Sequence, residues 1–216
     1  MQNTQTGWRL LILLLIAVNV IPEAILQMAE AGWIGAAHWR LTAYGYGALW
    51  KGLLAGWQPN FTGQPALMFL SYGFLHAGFL HLAGNIIGIL WLAPLTARQV
   101  GAAGLALIYA ISVLGGGLVF VLLSDSIRPM VGASGAVYGL ATAWIYWDYR
   151  ERRQQRLPLG IIWAKLLTVC LCNLIGWWIA AGEMAWQTHL GGMIAAWCCA
   201  RALRRPQDSE PPAPQP

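Results

Sequence analysis

Apolar residues in this chain gather into long blocks rather than into short periodic stripes. Each block is about 17 to 25 residues long, the length of helix that crosses the hydrocarbon of a bilayer. Each is predicted to be α-helical, because an open segment in lipid must satisfy its backbone hydrogen bonds internally. The pattern therefore predicts an all-α, polytopic membrane protein with six transmembrane helices. Their approximate bounds are 9–27, 79–95, 101–123, 132–149, 159–180 and 184–203.

The composition agrees with a membrane protein, since 58% of the residues are hydrophobic and 10% are charged, against about 25% charged in soluble domains. The basic residues behind the net charge of +5 lie at block edges and form no stripe with interleaved aromatic residues. Nucleic acid is therefore not an expected partner. Cys170, Cys172, Cys198 and Cys199 lie inside apolar blocks without metal-ligand spacing. We interpret them as small core residues and expect no disulfide, metal or cofactor.

The Arg and Lys residues between the spans predict how the spans are oriented. With six spans, Arg40, Lys51 and Arg128 fall on one side. The larger set on the other side is Arg9, Arg98, Arg150, Arg152, Arg153, Arg156, Arg201, Arg204 and Arg205. Because cytoplasmic loops carry an excess of Lys and Arg, the larger set marks the cytoplasm and places both termini there.

Three regions follow from this topology. Residues 1–8 form a short cytoplasmic N-terminus, 9–203 the membrane domain, and the proline-rich stretch 204–216 a disordered cytoplasmic tail. The first block is interpreted as a retained span rather than a signal peptide, since its apolar character continues past Pro22 to Leu26.

The connection 28–75 is much longer than the others and is rich in Trp and Tyr, which suit the headgroup layer. We predict that it lies on the outer side and partly within the membrane. Two interpretations of its apolar residues stay open: an ordinary lid over the spans, or an interfacial helix. The shared face of that helix would carry Leu49, Trp50, Leu53, Leu54 and Trp57.

A polar side chain inside a span is costly, so each one is a candidate functional residue. His81 begins the second predicted span, with Asn85 one turn later, while Ser134 begins the fourth and His189 the sixth. All three spans enter from the outer side, so these side chains are expected to lie in one leaflet. We expect Ser134 and His189 within about two helical turns of the outer boundary, where they can meet.

The tetrapeptide Gly132-Ala133-Ser134-Gly135 is typical of a sharp turn that exposes a serine at a helix N-terminus. Free backbone N–H groups there suit a developing oxyanion. Gly-x-Ser-Gly also serves helix packing in glycine-rich membrane chains, so the tetrapeptide alone does not identify a nucleophile. His189 shares a helical face with Gly192 and Ala196, which predicts close approach to another helix. Small pairs that would form matching surfaces are Gly84 with Gly88 and Gly135 with Gly139.

His81 and Asn85 are one turn apart and face the same way, an arrangement that suits an oxyanion hole. An interhelical hydrogen bond by Asn85 is the structural alternative. If the helix included His76, its side chain would be rotated roughly 140° away from that of His81. We interpret His76 as a supporting residue just above the membrane. A proton relay through His81 and His189 in a transporter is a second alternative, but the internal repeat typical of transporters is not found.

Two classes of intramembrane protease, the zinc and the aspartyl proteases, do not fit the polar residues of these spans. A zinc protease needs His-Glu-x-x-His, but His76 and His81 have the wrong spacing and Ala77 stands where the glutamate should be. Glu23 and Asp148 are too far apart in the predicted topology for an aspartyl protease. With no acid near His189, a serine mechanism would rely on a Ser/His dyad without an orienting carboxylate.

The chain resembles the bacterial rhomboid intramembrane serine proteases with the basic six-span core, over about residues 9–203. The motifs that carry the resemblance are His76-x4-His81-x3-Asn85, Gly132-x-Ser134-Gly135 and His189-x2-Gly192. The resemblance implies Ser134 as nucleophile, His189 as general base, and Tyr138 stacked on His189. It further implies an oxyanion hole of His81, Asn85 and the Ser134 backbone N–H.

The resemblance also implies a location in the bacterial inner membrane, an active site open to the periplasmic side, and transmembrane proteins as substrates. A catalytically idle relative that binds or remodels transmembrane clients is the alternative. Leu67-Met68 stands where many members carry Trp-Arg, and Trp39-Arg40 lies too far upstream to be expected to substitute for that pair. Ala196 replaces a frequent glycine. The first of these departures leaves open how the long loop is anchored. The sequence predicts no particular substrate, regulator or oligomeric state.

Overall fold

The computed structural model describes residues 2–203, and regular structure in that range is helical. The predicted all-α fold is confirmed, and each of the six predicted blocks falls on helix. The predicted disordered tail 204–216 lies outside the described residues. The helices are α1 (Gln2–Glu30), α2 (Trp39–Gly47), α3 (Gln64–Ser71), α4 (Phe79–Leu123), α5 (Ser134–Gln154), α6 (Gly160–Ile179) and α7 (Trp186–Ala202).

Within the described range, three helical segments are long and apolar enough to cross a membrane: Thr6–Glu30 of α1, α4 and α6. The second has 45 residues, and a straight helix of that length would be about 68 Å long. It is interrupted at Gly101, whose φ of 71° and ψ of −172° are not helical. Since L side chains rarely adopt this conformation, glycine lets the chain change direction between the two predicted blocks.

The centre of the fold is formed by α4, α5 and α7, which touch through small residues. A Cβ on Gly192 would overlap the carbonyl oxygen of Gly135, and a Cβ on Gly139 would overlap the hydroxyl of Ser112. The predicted small faces on α5 and α7 are therefore confirmed as helix contacts. The prediction for Gly84 is wrong, because a Cβ there would meet nothing within 4 Å and the residue is exposed.

The long connection contains α2, α3 and two short 3-10 helices, Lys51–Leu54 and Tyr72–Phe74. Of the two interpretations left open for this connection, the interfacial helix with one apolar face is wrong. Leu49 is fully buried and pairs with Met130 as an isolated β-bridge, while Leu54 and Trp57 are about half exposed. The segment folds as a short extended stretch followed by a single tight turn, which cannot present one continuous face.

The cysteines were predicted to be core residues, and this is wrong for most of them. Cys170, Cys172 and Cys198 are exposed on the outer faces of α6 and α7, and Cys199 is half-buried. Apolar character alone does not distinguish the two faces of a helix that is surrounded by lipid.

Candidate active site

Ser134 is the first residue of α5 and is partly exposed. The turn before it depends on Gly132, which has a φ of 127° and donates its N–H to the carbonyl of Tyr72 at 2.9 Å. That φ lies in the region that favours glycine. The first N–H groups of a helix lack intrahelical acceptors, so α5 presents donors beside the Ser134 hydroxyl.

His189 lies in the first turn of α7 and is 3% exposed. Its Nε2 is 2.8 Å from Oγ of Ser134, and the two helices are brought together by the contact between Gly192 and Gly135. The ring of Tyr138, one turn after Ser134, stacks on the imidazole with a centroid distance of 4.1 Å and an interplanar angle of 7°. A serine and a base are thus within hydrogen-bond distance.

The other nitrogen of His189 has a partner that the sequence analysis missed. Nδ1 is 2.8 Å from Oδ1 of Asn173, which lies on α6. The same rule that singled out Asn85, a polar side chain inside an apolar block, applies to Asn173 and would have found it. A neutral amide thus lies at the nitrogen of His189 where a Ser-His-Asp triad has its carboxylate.

His81 and Asn85 both lie on α4 and face the turn before Ser134. A Cβ on Gly132 would lie 2.7 Å from Nε2 of His81 and 3.8 Å from Nδ2 of Asn85. The backbone N–H of Ala77 donates to Nδ1 of His81 at 3.3 Å. A neutral imidazole that accepts at Nδ1 carries its proton on Nε2, so His81 presents an N–H donor at this turn.

The amide nitrogen of Asn85 donates to the carbonyl of His81 at 3.1 Å, one turn earlier in the same helix. The alternative of an interhelical hydrogen bond by Asn85 therefore finds no support in this geometry. The second donor hydrogen of the amide remains available for another acceptor.

His76 lies just before α4, where its buried ring meets that of His81 edge-on at 5.2 Å between centroids. Burial, with a smaller contribution from His81, lowers the pKa of His76 to about 3. Neither ring nitrogen has a hydrogen-bond partner among residues 2–203. In the same range, no group of three or more His, Cys, Asp or Glu side chains is arranged to hold a metal ion.

Arg40 ties this part of the chain to α1. Its guanidinium bonds both carboxylate oxygens of Glu23, at 2.8 and 2.9 Å, and both of Glu30, at 2.6 and 2.9 Å. It also donates to the carbonyl of His76 at 2.8 Å, which accepts from the Tyr44 hydroxyl at 2.7 Å as well. The hydrogen bonds to Glu30 and Glu23 raise the pKa of Arg40 above its usual range. The loop is thus anchored by Arg40, although the residues at Leu67-Met68 depart from the expected pair.

Comparison with known proteins places this geometry in context. The Rhomboid domain family matches residues 64–206, about two thirds of the chain. "Rhomboid protease GluP" of Bacillus subtilis is 29% identical over 133 residues, covering 62% of this chain and 25% of that protein. "RHOMBOID-like protein 5" of Arabidopsis thaliana is 33% identical over 128 residues, covering 56% of this chain and 38% of that protein.

A relative whose name states that it is inactive also matches. "Inactive rhomboid protein 1" of Drosophila melanogaster is 31% identical over 132 residues, covering 58% of this chain and 8% of that protein. The chain thus spans well under half the length of these curated relatives.

Proposed function

We propose that this chain, which belongs to the rhomboid family, is an intramembrane serine protease. It hydrolyses peptide bonds in or near transmembrane segments of other membrane proteins. The observation that carries this proposal is the 2.8 Å hydrogen bond between Ser134 Oγ and His189 Nε2. His189 takes the hydroxyl proton as Oγ attacks the substrate carbonyl, and later returns that proton to the leaving amine.

The negative charge on the substrate oxygen needs donors on the far side of the carbonyl. His81 supplies its Nε2–H, Asn85 its amide, and Ser134 its backbone N–H at the start of α5. The positions of His81 and Asn85 against Gly132 support this assignment. Glycine at that position leaves room for the ring of His81, because a Cβ there would lie 2.7 Å from its Nε2.

The same proposal includes the topology. We infer six transmembrane segments, from α1, the two parts of α4, α5, α6 and α7, with both termini in the cytoplasm and the site toward the outer side. The arginine distribution supports this orientation, and we propose a bacterial inner membrane as its location. Ser134 is partly exposed, which supports access of the water that hydrolysis requires.

The substrate is inferred to be a helix that unwinds locally, since intact helical hydrogen bonds shield its carbonyl groups. Transmembrane segments with small or helix-breaking residues near the cleavage point are therefore preferred. The competing function is a catalytically idle protein that binds or remodels transmembrane clients, and the similarity to an inactive relative favours testing it directly.

The test is cleavage of a purified model transmembrane substrate, followed on gels, by wild type and by Ser134→Ala. We expect the variant to be inactive, because it lacks the proposed nucleophilic oxygen. We expect it to fold, because that oxygen is removed from a partly exposed position. Ser112→Ala is the matched control: this buried serine bonds the carbonyl of Ile108 in its own helix at 2.6 Å, so cleavage should persist. Cleavage by Ser134→Ala at the wild-type rate would exclude the serine mechanism.

A fluorophosphonate probe distinguishes the enzyme from an idle relative without any substrate. We expect slow labelling of the wild type and none of His189→Ala, since a serine without a neighbouring base stays protonated and weakly nucleophilic. Equal labelling of both proteins would remove His189 from the mechanism, and absence of labelling in the folded wild type would favour the idle function.

A further inference from the structure

The contact between His189 and Asn173 joins the candidate site to a helix that otherwise faces mostly outward. Within α6, every residue of which the structure describes, Ile162 is the one buried residue. Asn173 is half-buried, and its Oδ1 lies 2.8 Å from Nδ1 of His189. A polar amide on a helix so exposed is costly in lipid unless it has a partner, and its partner is the candidate base.

The identity of the atoms in this contact has a chemical consequence. A neutral imidazole carries one proton, on either Nδ1 or Nε2, and the hydrogen bond made by one nitrogen fixes the state of the other. A carbonyl oxygen can only accept. Oδ1 of Asn173 therefore selects the form with the proton on Nδ1, which leaves the lone pair of Nε2 facing Ser134.

Stacking on Tyr138 does not supply this selection. The stacked ring, at 4.1 Å and 7°, fixes the plane of the imidazole, but both tautomers have the same plane. An imidazole turned by 180° about its Cβ–Cγ bond also remains stacked. The partner at Nδ1 distinguishes these states, because a group that accepts there favours one tautomer in one orientation.

We propose that Asn173 is a positioning residue, whose side-chain oxygen holds His189 as the Nδ1–H tautomer with Nε2 aimed at Ser134. This inference rests on the proposed function and deepens it. As the bond from Ser134 Oγ to the substrate carbon forms, the hydroxyl proton moves to Nε2 and the ring becomes a cation. Its Nδ1–H remains in place, and its hydrogen bond to Asn173 becomes charge-assisted and stronger. When the scissile C–N bond breaks, Nε2 gives the proton to the leaving amine.

The experiment compares wild type with Asn173→Leu and Asn173→Asp in detergent, with Thr168→Leu as matched control. Thr168 is an exposed polar residue of the same helix that bonds the carbonyl of Ala164. Ring-¹⁵N-labelled histidine reports the tautomer of His189 by NMR, with the His189→Ala spectrum assigning its signals. Turnover of the model transmembrane substrate gives kcat and KM separately.

We expect the Nδ1–H tautomer in wild type and a mixture of tautomers in Asn173→Leu. The kcat of that variant should fall about 3- to 30-fold with little change in KM, as for removal of one neutral hydrogen bond that strengthens during the reaction. In Asn173→Asp, the carboxylate should stabilise the imidazolium and move the acidic limb of the kcat/KM profile to higher pH. A merely structural tie between α6 and α7 would leave the tautomer of His189 unchanged in Asn173→Leu. Thr168→Leu should match wild type in every measurement.

An Asn173→Leu variant with unchanged tautomer and kcat would overturn the inference while leaving the serine mechanism standing. An Nε2–H tautomer in wild type would overturn it as well, and cleavage of the model substrate by wild type would then decide the serine mechanism by itself. The NMR measurement needs no turnover, so the two proposals fail separately. If wild type cleaves nothing but Asn173→Leu loses the Nδ1–H tautomer, the proteolytic function fails and the positioning of His189 by Asn173 is supported.

Discussion

Replacing Arg40 by methionine should destabilise the protein strongly, because it would leave a buried carboxylate without its cation. Glu23 is 1% exposed and receives two hydrogen bonds from Arg40, at 2.8 and 2.9 Å. After the substitution, the amide of Gln27 at 2.8 Å would remain as a donor to it. Breaking one side of a buried ion pair typically costs about 3–5 kcal/mol, and we expect Arg40→Met to lose a free energy of unfolding in that range.

Arg128 provides the matched control. It pairs with Glu183, but the two side chains are 69% and 58% exposed, and exposed pairs contribute about 0–1 kcal/mol. Reversible unfolding in mixed micelles, followed by tryptophan fluorescence, should therefore show a much larger loss for Arg40→Met than for Arg128→Met. Equal losses in the two variants would refute the argument from burial.

A double substitution separates the ion pair from the other contacts of Arg40. If uncompensated charge is the cause, Arg40→Met with Glu23→Leu should recover most of the stability, since apolar replacement of a buried pair is often neutral. The carbonyl of His76 would still lack its 2.8 Å bond from Arg40. We therefore expect the double variant to be stable but to show reduced kcat, through disorder of the segment that leads to His81. A double variant as unstable as Arg40→Met would contradict this account.

Three further substitutions test other parts of the structure. Gly192→Ala should lower the free energy of unfolding by about 1–3 kcal/mol and remove most of the activity, because its Cβ would overlap the Gly135 carbonyl. Gly84→Ala, whose Cβ would meet nothing within 4 Å, should change neither stability nor activity. Equal effects of the two substitutions would refute the close contact. His76 has a folded pKa of about 3 against 6.5 for the free side chain, so it stabilises the fold above about pH 6.5 and this contribution is lost toward pH 3. Unfolding free energy should thus fall by about 2 kcal/mol more in wild type than in His76→Gln between pH 7 and 5, and identical slopes would contradict the buried neutral histidine. Asn85→Ala should lower turnover about 10- to 1000-fold with little change in melting temperature, because the Asn85 amide bonds a carbonyl of its own helix, α4. A destabilised variant with normal turnover per folded molecule would remove Asn85 from the oxyanion hole.

The fold and the contact between Ser134 and His189 could be predicted because both depend on patterns that are visible within single helices. Apolar block length predicted the helices, and small residues next to Ser134 and His189 predicted the face on which they meet. The contact of Gly192 with Gly135 needs only residues three and one positions away from the two side chains it brings together.

Contacts between distant elements were not predictable in the same way. Nothing along the sequence pairs Asn173 with His189, since that contact depends on how α6 is rotated against α7. The anchoring of the loop by Arg40 was not predictable either, because it depends on how residues 28–75 fold. Arg40 bonds Glu23 of α1 on one side and the carbonyl of His76, 36 residues later in the chain, on the other.

The group that contacts Nδ1 of His189 is an amide rather than a carboxylate, and this fits the place where the proposed reaction occurs. A permanent anion beside a buried imidazole within a span would have to be taken out of water, which costs several kcal/mol even when it is paired. The amide of Asn173 accepts a hydrogen bond without that cost and carries no charge in the resting state. In the proposed reaction, charge then appears only when Ser134 attacks, as an imidazolium and an oxyanion of opposite sign on two sides of the same serine. Because each of them faces neutral dipoles already in place, at Asn173 for the cation and at His81 and Asn85 for the anion, the site gains its electrostatic stabilisation in the transition state rather than in the ground state.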